Sequence, residues 1–522
     1  MYIEPNTNIK ILHNVPLENT YDHTLYFANA TDQYNYFSSM VKKNCVNYSY
    51  QRVNKGTMRI EGKADNYYDC NYLMFQNTNF GTKWFYAFIN SVEYVNNETT
   101  EIVFEIDEIQ TWLFDAHVEE CFIERQHSLS DAIGDNIIPE TLDLGEYVMN
   151  DYAPVTSLVD MCVCLAIVDT NGESAGELYD GIYGSAQLFV YDSTDVSGVN
   201  DKIDEFTQKP DAIISIYMFP KALIGGVIPQ NHMLPYGTGG ANISCVALPV
   251  TKQDTLDGYL PKNGKMYTYP YNFYHVDNAS GEELSLRYEF FDNLTPVMLV
   301  NGTVTQPVAL TLRPASYKGV TPFVPGSGYT SLNTEIIGLR NFPICSWNVD
   351  AYQAWIAQNA IPIGFKAMGS VGSALVHSGS GYSVNEGVSS SLIHTITSIC
   401  SENYSASIMA DISKGSLNNG CVNVGISKQQ FYGGRCSVSY QYAKMIDDFF
   451  TMYGYAVKGV GRINTHGRPH WNYVKTVGCV LSGSIPSDSS KKIVSIYDKG
   501  ITFWRHANEV GNYELDNSLD NA

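Results

Sequence analysis

The first quarter of the chain carries the alternating apolar and polar positions of β-strands. From Tyr21 to about Glu124 the pattern favours strands. Aromatic and β-branched runs at 72–77 and 83–95 flank a turn rich in Asn and Gly, and 101–107 alternates acidic with apolar residues. Because successive side chains of a strand point to opposite faces, this pattern predicts a meander with one solvated face.

The middle of the chain has shorter apolar runs and frequent turn residues. After a polar stretch over 128–156, the run 162–168 predicts a buried strand. Between about 157 and 345 short strand patterns are separated by Gly, Pro, Asn and Asp clusters, such as 236–240 and 325–328. Turn residues that recur in this way between short strands predict a β-sandwich or barrel.

The last third mixes helical and strand patterns. Apolar spacing of three and four residues predicts a helix over 349–358 and another over 442–455, with Gly454 as its C-terminal stop. The aromatic and β-branched runs 471–482 and 493–504 are predicted as strands. With these elements the chain is expected to be mainly β, with few helices.

A long stretch of small residues interrupts this pattern. Over 364–400 the only charged side chains are Lys366 and Glu386, and Gly, Ser and Ala fill most other positions. A membrane-spanning helix needs about 20 mostly apolar residues, so this stretch is too polar for one. A surface loop of this length would carry more charge. The stretch is therefore interpreted as a long internal loop of low charge.

Composition narrows the possible functions. The 522 residues allow two to four domains, at roughly 150 residues each. The 38 Tyr and 22 Phe favour strands, and the net charge of -22 argues against a conventional DNA-binding protein, which needs Lys and Arg to displace counterions. A channel lined with acids would instead let a polyanion pass without sticking.

The cysteines and the N-terminal residues indicate in which cellular compartment the chain is made. The 11 cysteines include no CxxC pair, and Cys162 and Cys164 fall on one face of a strand. They are interpreted as reduced, mostly buried residues rather than zinc ligands. The first residues lack the basic and apolar pattern of a secretory signal, and no run predicts a transmembrane helix. We expect a chain made in a cytoplasm and soluble at least initially.

Enzyme motifs are missing from the sequence. It has no GxSxG, HExxH, P-loop or dinucleotide-binding fingerprint in a suitable context. His466 and His470 are four residues apart, but Pro469 would break a helix that aligned them on a metal. The acid pairs Asp447-Asp448 and Glu282-Glu283 are adjacent, which does not fix the carboxyl separation that a glycosidase needs. No enzyme, metal or cofactor is expected.

Several stretches together resemble the tail knob, or distal tail tube, proteins of short-tailed phages of the phi29-like, picovirus type. They occur in the family's order and reach both ends of the chain. The stretches are YLMFQNTNFGTKWFYAF (72–88), FEIDEIQTWLFD (104–115), CFIERQH (121–127), FPICSWNVDAYQAWIAQN (342–359), DDFFTMYGY (447–455), WNYVKT (471–476) and GITFWRHANEVGNYELDN (500–517). The middle, 157–340, matches poorly.

The resemblance implies a virion structural protein that forms a ring or tube, expected to be a homohexamer, at the tip of the phage tail. It implies a tail-tube-like β domain built from 1–155 and 425–522, a β-rich knob domain over 156–345, and a helix with a lumen-plugging loop over 346–424. Expected partners are other copies, other phage tail and collar proteins, genomic DNA passing through the lumen, and the host membrane, which the loops would enter during ejection. The protein would be made in the host cytoplasm.

The loop and the acids supply the candidate site residues. His377 and His394 are candidates for a pH-sensitive release, since histidine titrates near neutral pH. The acids Glu101, Glu105, Asp107 and Glu108 could line the lumen, or simply form an exposed strand face. The apolar residues predicted to pack as the plug, and to be membrane-active once released, are Phe365, Met368, Val371, Leu375, Val376, Val388, Leu392, Ile393, Ile396 and Ile399.

Other interpretations remain open for the same residues. The low-charge stretch could be a disordered linker, or a domain-swapped or surface arm. A receptor-binding role, with the irregular middle recognising a bacterial cell-wall glycan or teichoic acid, is the alternative function. It could coexist with a tube in one knob.

Overall fold

The computed structural model describes residues 6–48, 56–77, 81–167, 178–179, 182–183, 187–207, 212–234, 240–247, 255–291, 297–304, 308–315, 317, 335–346 and 429–519. The chain divides into two units. The first comprises 1–146, 254–271 and 438–522, and the second comprises 147–253 and 272–437. The domains expected from the family resemblance, 1–155 with 425–522, 156–345 and 346–424, stay predictions.

The first unit holds strands from both ends of the chain. The N-terminal strands are β1 (Thr7–His13), β2 (His23–Leu25), β3 (Val41–Tyr48), β4 (Thr57–Glu61), β5 (Cys70–Asn77), β6 (Phe85–Asn96), β7 (Thr99–Ile106), β8 (Ala116–Val118) and β9 (Cys121–Gln126). The C-terminal strands, numbered in chain order after those of the second unit, are β24 (Tyr455–Gly461), β25 (Trp471–Val477), β26 (Leu481–Gly483) and β27 (Ile501–Trp504).

The second unit holds the strands between them. They are β10 (Tyr147–Pro154), β11 (Met161–Ile167), β12 (Leu178–Tyr179), β13 (Ile182–Tyr183), β14 (Gln187–Asp192), β15 (Ile213–Pro220), β16 (Gly240–Ala247), β17 (Asn272–Asp277), β18 (Glu283–Leu286), β19 (Val297–Thr303), β20 (Leu310–Ala315), β21 (Ile337–Leu339), β22 (Ile344–Ser346) and β23 (Tyr432–Val438).

Helices are few among the described residues. The α-helices are α1 (Ala30–Ser39), α2 (Glu108–Trp112), α3 (Val196–Asp204), α4 (Tyr440–Tyr453) and α5 (Ser487–Lys499). Short 3-10 turns cover Ala64–Asn66, Lys221–Ile224, Gly264–Tyr267, Tyr288–Phe290 and Ala507–Glu509. The prediction of a mainly β chain is confirmed. None of the helices in the described ranges is long and apolar enough to cross a membrane.

Two sheets build most of the first unit. A six-stranded antiparallel sheet has the order β3-β1-β5-β6-β7-β4 and comes entirely from the N-terminal part. A five-stranded sheet has the order β2-β27-β25-β9-β24. Here β2 and β9 pair only with strands of the C-terminal part, β2 in parallel with β27. The two ends of the chain therefore depend on each other.

Aromatic side chains fill one core cluster of the first unit. Trp471 and Trp504 lie fully buried, with ring centroids 5.0 Å apart. Phe37 of α1 stacks on Tyr72 of β5 at 5.2 Å in the same cluster. Large rings bury much apolar area on few residues, so they contribute strongly to the hydrophobic stabilisation of this cluster.

Three four-stranded sheets form the second unit. Their orders are β10-β23-β17-β18, β14-β11-β15-β22 and β16-β19-β20-β21. One core cluster takes side chains from all three, including Val276, Cys164 and Val300. Strand β11 is buried on both faces, since Cys162 and Cys164 join this cluster while Leu165 and Ile167 join a second one under α3.

The structure corrects part of the predicted secondary structure. The predicted strand over 493–504 is wrong in its first half, because 487–499 form α5, and only Ile501–Trp504 is a strand. Helix α1 also lies in a region predicted as strand. The helix at 442–455 is confirmed as α4, with Gly454 at φ 65° ending it. The predicted helix 349–358 lies outside the described residues.

Candidate functional site

The described chain on either side of the long low-charge stretch is anchored in one place in the second unit. Gln429, which is buried, donates from Nε2 to the carbonyl oxygen of Arg340 at 2.7 Å. Phe342 and Phe431 belong to the same core cluster. On the C-terminal side, the backbone N–H of Val155 donates to the carbonyl oxygen of Phe431 at 2.8 Å. The described residues just before and just after the stretch therefore lie close together in this unit.

The predicted plug residues lie between these anchors. The stretch from Phe365 to Ile399, including His377 and His394, falls outside the described residues. The packing, pH and membrane roles given to these side chains stay predictions.

Two of the four candidate lumen acids are on the partly exposed side of β7. Glu101 accepts a hydrogen bond at 2.8 Å from Nε of Arg59 on β4. Glu105 pairs with Lys492 of α5 at 3.0 Å. Each carboxylate thus has a neighbouring cation that offsets its charge. Lumen lining by Glu101 and Glu105 stays a prediction.

The other two acids are buried inside the first unit. Asp107 is 1% exposed and caps α2, with its Oδ1 accepting from the Gln110 backbone N–H at 3.0 Å. Its Oδ2 accepts from the Tyr72 hydroxyl at 2.9 Å. Glu108 is 5% exposed and accepts from Trp112 Nε1 at 3.1 Å. Carboxyl groups enclosed within their own subunit do not line an open channel, so that interpretation is corrected for this pair.

Burial changes the acidity of Asp107. Removal from water raises the pKa of its carboxyl group to about 7, against the opposing effect of the hydrogen bonds from Gln110 and Tyr72. The sequence placed Asp107 on a solvated acidic face because it is the last residue of the alternating run 101–107. The missed signal was the capping pattern, an Asp before the helical stretch Glu108–Trp112.

A buried polar cluster, which sequence reasoning did not find, joins two separate parts of the first unit. At its centre Asp447 of α4 is fully buried. Its Oδ2 accepts from the Lys262 backbone N–H at 2.7 Å and the Tyr259 hydroxyl at 2.9 Å. Its Oδ1 accepts from the backbone N–H of Asn263 at 3.1 Å and from the side-chain Nδ2 of Asn263 at 2.9 Å. Asp447 therefore ties the 254–271 segment to the C-terminal part.

A second buried ion cluster ties the 128–146 segment to the same place. Glu140 contacts the guanidinium of Arg125 and lies 2.7 Å from Nζ of Lys265, whose side chain is 2% exposed. Burial lowers the pKa of Lys265, while Glu140 opposes that effect. Nearby, Asp131 accepts from the Tyr455 hydroxyl and lies 3.4 Å from Nη1 of Arg468.

His127 lies inside the same framework in its neutral form. Its Nδ1 accepts from the backbone N–H of Tyr473 at 2.8 Å, and its Nε2 lies 3.1 Å from the carbonyl oxygen of Thr451. These partners require a proton on Nε2 and none on Nδ1. Burial, with the positive charges of Arg468 and Arg125, lowers the pKa of His127 to about 3.

The histidine pair noted in the sequence is placed in the loop between β24 and β25. The His466 ring stacks on Tyr26 at 5.0 Å, and Nδ1 of His470 lies 2.8 Å from Glu509. The two imidazoles thus serve different contacts. Within the described ranges, no three His, Cys, Asp or Glu side chains gather as a metal site would require. Seven cysteines are free and buried: Cys45, Cys70, Cys121, Cys162, Cys164, Cys436 and Cys479.

Comparison with known proteins identifies the class first. Residues 5–117, which include the six-stranded sheet, match the family model of the caudoviral major tail protein N-terminus. This part of the chain therefore has the class of tail proteins of tailed phages. Residues 247–518, just over half of the chain, match the model of the C-terminal domain of Bacillus phage phi29 tail knob protein gp9. The chain belongs to this tail knob family, as its sequence resemblance predicted.

Full-length relatives agree with the family models. The chain is 27% identical to tail knob protein gp9 of Bacillus phage B103 and 25% identical to that of phi29, with 98% of each chain covered. A structure of the bacteriophage C1 tail knob protein gp12 superposes with a TM-score of 0.58 at 12% identity, covering 98% of this chain and 99% of that one. That likeness shows a shared fold. The chain has a structural role as a tail knob protein.

Proposed function

We propose that copies of this chain assemble into the distal tube of a phage tail and conduct genomic DNA into the host cell. The observation that carries the proposal is the similarity to tail knob proteins over 98% of the chain. The protein would act in the virion, at the tail tip, with other tail and collar proteins as neighbours. Conduction is passive and needs no cofactor.

The charge of the chain suits passage of DNA. A net charge of -22 gives six copies a field that repels a phosphate backbone. A duplex that is repelled by the wall does not stick to it while moving. This argument depends on the whole chain rather than on Glu101 and Glu105, whose charges are offset by Arg59 and Lys492.

The low-charge stretch over 360–407 is proposed as the plug of that tube. Its side chains are small and nearly uncharged, so several copies can pack in a narrow bore and leave it at low cost. The hydrogen bond of Gln429 to Arg340 supports an excursion that starts and ends at one place. Once released, the apolar residues would favour a bilayer over water. Insertion into the host membrane is part of the same proposal.

Electron microscopy of the purified full-length chain tests the tube. We expect end-on views of negatively stained particles to show a six-fold ring around a bore. A stable monomer that binds host cells would contradict the tube and favour the receptor-binding alternative.

Deletion of residues 362–406 tests the plug. We expect the shortened chain to assemble, because both anchoring points, Arg340 and Gln429, are kept. Tails carrying it should lose DNA early, measured as genome release from purified virions without host cells. The control replaces the same residues with a Gly/Ser linker of equal length, which should leak as well. Retention of DNA by both variants at the wild-type level would exclude the plug.

Measuring ejection at a series of pH values tests the role of His377 and His394 independently of the plug. If their protonation promotes release, ejection should accelerate between about pH 7.5 and 5, and replacement of both by Asn should abolish the change. Ejection that does not depend on pH would remove this part of the proposal and leave the plug intact.

A further inference from the structure

The first unit contains an open cleft that has no role in the function proposed above. Four short stretches meet there: 14–16 after β1, 25–27 at the end of β2, 36–40 at the end of α1, and 505–508 after β27. The volume of the cleft is about 520 Å³. Pockets that hold small ligands are typically about 300–1,000 Å³, so its size fits such a ligand.

Apolar and aromatic side chains line one part of the cleft. Phe27 and Tyr36 lie with ring centroids 5.6 Å apart at an angle of 43°, and Leu25 and Met40 lie beside them. The Tyr36 hydroxyl oxygen is buried and has no hydrogen-bond partner in the part of the chain that the structure describes. Burial raises the pKa of Tyr36 to about 12, so its hydroxyl remains a neutral donor at physiological pH.

The polar part of the lining is basic or neutral. It consists of Arg505, His506, Asn14 and Asn508, and no Asp or Glu belongs to the lining. This composition stands out in a chain with 54 acidic and 32 basic residues. A cleft without acids and with one guanidinium favours an anion, while the amides of Asn14 and Asn508 can both donate to and accept from hydroxyl groups.

Arg505 is held in place but keeps donors to offer. Its Nη2 donates to the carbonyl oxygen of His466, whose ring stacks on Tyr26. Its backbone N–H donates to the carbonyl oxygen of His470 at 2.9 Å. A guanidinium carries five N–H donors, and this side chain is exposed. A positioned guanidinium with remaining donors recognises phosphate in two-pronged geometry.

We propose that this cleft binds a phosphate-bearing sugar or polyol, the repeating chemistry of an anionic cell-wall polymer. Arg505 holds the phosphate, Asn14 and Asn508 contact the hydroxyl groups, and the Phe27 and Tyr36 rings pack on the C–H face of the carbon skeleton. The site goes beyond the DNA-conducting function and does not depend on it. It places a receptor contact in the first unit rather than in the irregular middle of the chain.

Isothermal titration calorimetry on the purified full-length chain tests the site. The probes are a glycerol phosphate oligomer, inorganic phosphate and maltose, each also titrated into Arg505→Gln and Arg462→Gln. Arg462 is the matched control, since it is an exposed arginine outside the cleft that lies 3.3 Å from Glu120. Both variants lose one positive charge. Melting temperatures of the variants check that the fold is retained.

We expect the oligomer to bind the wild type and Arg462→Gln with dissociation constants within twofold of each other, and Arg505→Gln at least tenfold more weakly. Inorganic phosphate and maltose should each bind at least tenfold more weakly than the oligomer. Three results would overturn the proposal: no heat of binding with the oligomer at millimolar concentration, equal affinity for inorganic phosphate, or equal affinity of the two arginine variants.

Discussion

His127 has its charge state fixed by its surroundings. Its buried ring accepts from Tyr473 and faces the Thr451 carbonyl, so a second proton would destroy one hydrogen bond and charge a site shared with Arg468. In the unfolded chain the same ring titrates near pH 6.5. The folded state therefore binds fewer protons than the unfolded state between these two pKa values.

The consequence is a loss of stability on acidification. Because the folded pKa of His127 is about 3, its contribution is present above pH 6.5 and is lost as the pH falls toward 3. The free energy of unfolding should fall by up to about 1.4 kcal/mol per pH unit from this group. Urea denaturation between pH 7.5 and 4 measures it. His127→Asn should flatten the slope, and His117→Asn, at an exposed histidine, should not. Equal slopes in all three chains would refute the assignment.

Asp107 should change the pH dependence of stability in the direction opposite to that of His127. Its folded pKa of about 7 exceeds the ordinary 3.8, so the unfolded chain releases the proton first as the pH rises. Stability is lost between pH 3.8 and 7. Asn keeps the cap of α2 without the charge, so Asp107→Asn should gain stability relative to the wild type as the pH is raised from 4 to 8. The exposed Asp65, changed to Asn, is the control. A difference between Asp107→Asn and wild type that does not change with pH would contradict the raised pKa.

Helix α4 is held in place by one of its two adjacent acidic residues. Asp447 satisfies four donors in the 254–271 segment, whereas Asp448 is on the surface and pairs with Lys444 at 2.7 Å. Asp447→Ala would leave buried donors without partners, which we expect to cost about 3 kcal/mol or more. Asp448→Ala should cost less than about 0.5 kcal/mol. Denaturant titration compares the two. Similar losses would show that the cluster around Asp447 contributes little.

The elements differed in how far their sequence patterns predicted them. Strand β7 was predicted because apolar residues recur with a period of two over 101–107. Helix α4 was predicted because apolar residues recur three and four positions apart over 442–455. Helix α5 was missed because its buried Ile493, Ile496 and Tyr497 have the residue types of a strand. Their three-and-four spacing, followed by Gly500, was the helical signal in the sequence. In the structure Gly500 has a φ of 99° just after the last turn. Residue type outweighed spacing in the prediction.

At the scale of the whole molecule, the pairing of β2 and β9 with C-terminal strands has a testable consequence. A chain ending at residue 437 would lose β24, β25 and β27, leaving β9 without either neighbour. Tyr72 and Phe37 would lose the buried Trp471 and Trp504 of their cluster. We expect this chain to aggregate or to melt without a cooperative transition in calorimetry. A chain ending at Leu519 is the control and should melt like the wild type. Cooperative melting of the shorter chain near the wild-type temperature would contradict the interdependence.

The sequence alone determined the β-rich class, the period of most strands, the net charge of -22 and the membership of a tail knob family. Each of these properties depends either on a short stretch of sequence or on a sum over all residues. None of them depends on which segments come into contact in the fold. Only the tertiary structure decided that Asp107 is buried, that Asp447 rather than Asp448 joins distant segments, and that Arg505 shares a cleft with Phe27 and Tyr36. Burial and long-range contact arise from the packing of residues far apart in the chain, which no short window of sequence contains.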